Sequence, residues 1–375
     1  MKLLGLGAKA AFILVYAQQL DAGEFTKYFL GFSIAVIISR ILGMGADDEL
    51  PYRVRGRGTT AGRYLGLSLA YSFAGCIALA FSLILNALNF ELLVFAVSLL
   101  LAGNAVAAGA LRSIDNFYQE IRLNFPWILM CIFLTFLSFK NASHVLYGIS
   151  ISYLIIQIFE SWNVKKSGGV SLSPHVAATA RYHSKRIVSW LPKALSTAAL
   201  AASLRAFPLW IGFLNLGVND QLAYSFAIGE VSYQLAMTYV NLLHSSKHLR
   251  AASAGQRFSK TVGAFLLLSI ALSGTIYLLL QHLIKNKVGV GFEMLIFSSF
   301  YSVSIALFSL FRVRLWEFGS AWQQFKVLLL SQSAMFVIPG VMLILFGFSA
   351  GLIAIAAFLN MILIFLMNNL KSSAS

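Results

Sequence analysis

The chain has 375 residues, of which 59% are apolar and 11% charged, against roughly 45–50% apolar and about 25% charged in an ordinary soluble domain. That balance excludes a water-facing globular surface. With a mean hydropathy of +0.80 and charge-free runs such as Ala264 to Leu280 and Val327 to Gly347, it describes an integral membrane protein. The formal charge of +15 is then a topology signal before it is anything else, and no nucleic-acid partner is expected.

Twelve apolar runs follow in chain order. The first six are Leu3 to Gln19, Tyr28 to Met44, Tyr64 to Asn86, Leu92 to Leu111, Phe125 to Phe139 and Val145 to Phe159. The second six are Ile187 to Leu204, Gln221 to Leu243, Thr261 to Leu280, Gly291 to Phe311, Val327 to Phe346 and Ala350 to Met367. Barrel strands are about ten residues of alternating polarity, so these long continuous runs predict helices. Twelve spans of about 20 residues use about 240, leaving no room for a globular domain. The expected class is an all-α integral membrane protein of about twelve helices, in two six-helix pseudo-repeats around a central cavity.

Basic residues set the direction. Lys2; Arg53, Arg55, Arg57 and Arg63; Arg112 and Arg122; Lys165, Lys166, Arg181, Lys185 and Arg186; Lys247, Arg250, Arg257 and Lys260; Arg312, Arg314 and Lys326; and Lys371 fall on one side. These are 20 of the 28 Lys and Arg, whereas Lys27, Lys140, Lys285 and Lys287 mark the other side. By the positive-inside rule both termini are cytoplasmic. Lys9, in the middle of the first run, argues for a retained helix rather than a signal peptide cleaved after Val15-Tyr16-Ala17.

The longest cytoplasmic connection contains Lys165-Lys166, Ser167-Gly168-Gly169 and Pro174. It divides the chain into an N-terminal half, 1–160, a basic linker, 161–186, and a C-terminal half, 187–375. The halves match at one place. Leu20-Asp21-Ala22-Gly23-Glu24-Phe25-Thr26-Lys27-Tyr28 leads into the second run, and Leu216-Gly217-Val218-Asn219-Asp220-Gln221-Leu222-Ala223-Tyr224 into the eighth. Parallel six-helix repeats are a transporter architecture.

An ionisable side chain at mid-membrane depth costs at least about 2.5–3.5 kcal/mol, so each one marks a partner, a wet cavity or an escape to the interface. Lys9 shares a helical face with Phe12, Tyr16 and Gln19 in the first run. Its alternatives are cavity lining and snorkelling to the interface. In the seventh, Arg186, Trp190, Lys193 and Thr197 share a face, and Pro192 precedes Lys193. Arg205, followed by Pro208, lies near the outer end of that run, as a cavity cation or a headgroup anchor. Glu230, Gln234, Thr238 and Asn241 share a face of the eighth. Glu230 is the one acid placed deep in a run, and is either a titrating site for ion coupling or a structural partner of Lys193 or Arg205.

Other patterns lead to blander readings. Cys76 and Cys131 offer neither a disulfide framework nor a metal spacing, and His244 with His248 has no third ligand, so no metal or cofactor is expected. Asn141-Ala142-Ser143 is a glycosylation sequon by pattern. The basic loops suit anionic membrane lipids.

The chain resembles bacterial polysaccharide and O-antigen flippases of the multidrug/oligosaccharidyl-lipid/polysaccharide exporter superfamily. The likeness lies in Leu20-Asp21-Ala22-Gly23-Glu24-Phe25 with Tyr28, in Leu42-Gly43-Met44-Gly45-Ala46 running to Arg53, and in Tyr224, Ala227 and Ile228 entering the eighth run. The resemblance implies a non-enzymatic transporter in the bacterial cytoplasmic (inner) membrane. It would move an undecaprenyl-diphosphate-linked oligosaccharide between leaflets by alternating access, with a polysaccharide polymerase and assembly proteins as partners. Lys9, Lys193 and Arg205 would then attract the diphosphate, Tyr16, Trp190, Gln234 and Asn241 would contact sugars, and Glu230 would couple transport to protons or sodium ions. The alternative is a drug or small-metabolite exporter of the same superfamily or of the major-facilitator type. A membrane polymerase or glycosyltransferase would need clustered carboxylates or a loop of metal ligands, and the longest loop, Glu160 to Arg186, has a single acid.

Overall fold

The structure is a computed structural model that describes residues 2–16, 19–43, 58–84, 90–113, 125–133, 140–166, 191–192, 194–214, 216, 219–245, 254–279, 281, 289–318 and 321–372. Among these it is helical throughout. The helices are α1 (Lys2–Tyr16), α2 (Glu24–Leu42), α3 (Gly58–Ile84), α4 (Phe90–Ser113), α5 (125–133) and α6 (Ala142–Lys166). They continue as α7 (Ala194–Leu204), α8 (Ala206–Phe213), α9 (Asp220–Ser245), α10 (Ala254–Leu279), α11 (Phe292–Phe318), α12 (Ala321–Phe346) and α13 (Ala350–Ser372). Among the described residues five helices are long and apolar enough to cross a membrane, and α7 with α8, bent by 79°, makes a sixth if the pair is one span.

The chain separates into two compact units. One holds 1–12 with 19–201, and the other 13–18 with 202–375. In the first, α3 lies along α4, and α4 also packs on α2 and α6. Small residues set that distance: a Cβ on Gly103 would stand 2.9 Å from the Ser68 carbonyl, and the Ser68 hydroxyl donates to the Gly103 carbonyl at 2.7 Å. In the second, α11 is central, touching α9, α10, α12 and α13. Gly229 plays the same part there, with its notional Cβ 2.5 Å from Ser302 Oγ and 2.9 Å from the Ser298 carbonyl. Large apolar side chains such as Phe73, Phe81, Leu330, Ile344, Phe358 and Phe365 stay exposed, as lipid-facing positions require.

The two matching sequence turns act as helix starts. Gly23 adopts φ 85 and begins α2, a left-handed conformation that costs glycine little. The Glu24 carboxylate accepts a bond from the Ala142 N–H at 2.7 Å, and Asn141 Oδ1 accepts one from the His144 N–H at 3.0 Å. Two orphan donors in the first turn of α6 are thereby satisfied. The asparagine of the sequon is thus a helix cap. Asn219 caps α9 in the same manner, accepting from the Leu222 N–H at 2.9 Å. Tyr28 and Tyr224, the tyrosines of the two turns, are both buried.

Candidate functional site

Each unit buries an ionisable centre. In the first unit Lys9 is buried, 5% exposed. Its ammonium lies over the Trp127 ring, 5.4 Å from the centroid. Trp127 belongs to an aromatic cluster, 5.5 Å from Phe12 and 5.8 Å from Phe32, and Tyr28 meets Phe12 at 6.2 Å. A cation over a desolvated tryptophan gains about 2 kcal/mol, a large part of the cost of holding a lysine at membrane depth. The pairing depends on α5 lying against α1, and the Cys131 thiol confirms that contact by donating to the Ala8 carbonyl at 3.2 Å.

The second unit is built around a break. Reading the apolar pattern ended the seventh span at Leu204, but the structure continues it, after a turn at Arg205, into the apolar helix α8. Pro208 falls in the first turn of α8, where its missing N–H would have no helical acceptor anyway. Arg205 therefore sits at a buried corner, 5% exposed. Its Nε meets Glu230 Oε1 at 2.5 Å, and both side chains are almost fully buried. Arg205 is thus one partner of Glu230; Lys193, the other one considered, lies outside the described residues.

The corner is tied down at several points. Tyr301, fully buried, donates its hydroxyl to the Ser203 carbonyl at 2.7 Å and lies 3.3 Å from the Met335 carbonyl. Ser203 is in the last turn of α7, where carbonyls lose their helical donors. Met335 stands four residues before Pro339, which is inside α12 and has no N–H to offer it. The Ser203 hydroxyl donates to the Gln332 carbonyl at 2.9 Å, and Trp210 Nε1 to the Phe336 carbonyl at 2.7 Å. Gly340 leaves room for that indole, since a Cβ there would stand 2.5 Å from it.

The remaining expected residues are placed only in part. Gln234 lies one turn beyond Glu230 on α9 and is half-buried. Trp190 and Lys193, and the side chains of Tyr16, Thr238 and Asn241, lie outside the described residues. Trp127 and Tyr301 were not singled out from the sequence. Their partners are remote along the chain, and nothing local separates them from other aromatic residues; Pro339 in an otherwise apolar run is the one local sign that a donor is needed near Met335.

No protein-family model and no curated protein matches the chain. Among solved structures it is similar to an outward-facing multidrug resistance MATE family transporter of the MOP superfamily, at 14% identity over 100% of this chain and 94% of that one, with a TM-score of 0.54. A second similar structure, MATE in complex with MaL6, is 15% identical over 99% of this chain and 88% of that one, with a TM-score of 0.43. The first likeness shows the fold: this is the all-helical, multi-pass membrane architecture of a MATE transporter. That neighbour belongs to the superfamily of the flippases that the sequence resembles.

Proposed function

We propose that the protein is an exporter of the cytoplasmic membrane that moves an undecaprenyl-diphosphate-linked oligosaccharide between leaflets by alternating access. The observation that carries this reading is Lys9, a cation buried inside the first unit and held over an aromatic ring. An ammonium is a charge that a diphosphate can engage through charge-assisted hydrogen bonds. The neighbouring aromatic faces of Phe12, Phe32 and Tyr28 suit sugar or prenyl carbons. Arg205, engaged by Glu230, belongs with the conformational and ion-coupling machinery, with protons or sodium ions as the coupling species. Lys193, Trp190, Tyr16, Gln234 and Asn241 complete the proposed substrate path.

The test is flipping of a labelled lipid-linked oligosaccharide in proteoliposomes. Wild-type protein is expected to expose the sugar to an external lectin, and Lys9→Ala to lose most of that rate at unchanged expression. Equal rates in the two refute the role of Lys9, and absence of flipping in wild-type protein refutes the substrate. A second reading, export of a drug or small metabolite, is favoured by the described role of the multidrug transporter whose fold the chain shares. It predicts drug-stimulated transport that is indifferent to the lipid-linked sugar.

A further inference from the structure

We infer that Tyr301 is the positioning residue of the Arg205–Glu230 pair, acting through the corner between α7 and α8. This deepens the proposed coupling role of that pair and rests on it for its functional meaning, but its structural content stands separately. Tyr301 brackets Arg205 from both sides. Tyr301 holds Ser203, two residues before Arg205, through its hydroxyl at 2.7 Å. It holds Phe207, two residues after Arg205, through its ring, edge-on at 5.6 Å. Both flanks of the corner are thus fixed by one side chain.

The same ring also fixes the acid. Phe226 lies one helical turn before Glu230 on α9 and packs 5.7 Å from Tyr301 and 5.9 Å from Phe207. Rings from α8, α9 and α11 therefore form a closed triangle, which orients the face of α9 from which Glu230 reaches Arg205. The hydroxyl meanwhile donates its one proton to the Ser203 carbonyl at the end of α7 and stands 3.3 Å from the Met335 carbonyl, to which Pro339 of α12 offers no N–H. Without it, the Ser203 carbonyl loses this bond and the Met335 carbonyl its polar neighbour, and the economical relief is for α7 to straighten and draw Arg205 away from Glu230.

The experiment is hydrogen exchange by mass spectrometry on the full-length protein, wild type against Tyr301→Phe, which keeps the ring and removes the donor. Exchange is expected to rise at least 10-fold at the amides of 202–207, 209, 336–338, 340 and 341 while α3 and α4 stay at wild-type rates. The non-additivity between Arg205→Met and Glu230→Leu in thermal melts is expected to fall by at least half in the Tyr301→Phe background. Pro339→Ala restores a backbone donor for Met335, so Tyr301→Phe with Pro339→Ala should recover part of the lost protection. If Tyr301→Phe does not fold, Ser203→Ala, which removes only the tie to Gln332, is expected to give a smaller rise confined to the same amides. Exchange and non-additivity at wild-type values, or a uniform rise across the whole chain, overturn the inference. Transport is read separately: local loosening together with no flipping by wild-type protein would sink the proposed function and leave the positioning role intact.

Discussion

Removing either member of the Arg205–Glu230 pair should cost far more than removing both. At 2.5 Å and an effective dielectric constant near 20, the attraction is about 6–7 kcal/mol. Desolvation of two buried ions offsets most of it, so an apolar pair of similar volume is close to neutral, whereas removing one partner of a buried pair costs about 3–5 kcal/mol. For a chain of this size each kcal/mol corresponds to about 2 °C in melting temperature. Arg205→Met and Glu230→Leu are each expected to lower the melting temperature in detergent by about 6–10 °C. The double variant should melt within about 3 °C of wild type, a coupling of about 3 kcal/mol or more. The assay is a thermal melt of all four proteins in one buffer. Single effects that add to the double within about 0.5 kcal/mol would show that the two charges do not stabilise each other, and the reasoning would fail.

Other outcomes are as definite. Trp127→Leu should destabilise by about 3 kcal/mol, and about 2 kcal/mol of that should vanish in a Lys9→Met background, as a double-mutant cycle would reveal. Gly229→Ala should cost about 1–3 kcal/mol because its Cβ meets the Ser298 backbone. Gly274→Ala, which meets nothing within 4 Å, should leave the melting temperature unchanged or raise it by the equivalent of up to about 1 kcal/mol. Asn141→Ala should cost about 1 kcal/mol through the lost cap of α6, whether or not the protein is glycosylated.

The sequence makes membrane helices legible because hydrocarbon leaves only one way to satisfy a long apolar backbone. Glu230 was legible for a related reason, since an acid in such a run needs an explanation. The identity of its partner was not, because helical periodicity assumes an unbroken axis. Arg205 lies where that assumption ends: Ala206 to Phe213 is as apolar as the run before it, and a change of 79° in direction leaves no mark on hydropathy. Pro208 marked the new first turn, but beside an arginine it also fitted a helix end at the interface. Lys9 posed a different problem. Whether a lysine snorkels or stays depends on what lies across from it, and Trp127 reaches it from a helix far along the chain.

The bond from Ala142 to Glu24 spans 118 positions, which matters for how the protein is made. Segments enter the membrane in order of synthesis, so α2 is in place with its leading carboxylate hydrated long before the first turn of α6 exists. That carboxylate waits for a donor that arrives four helices later. Loss of Glu24 should therefore leave insertion of the early helices untouched and act on the late step in which α6 closes against them.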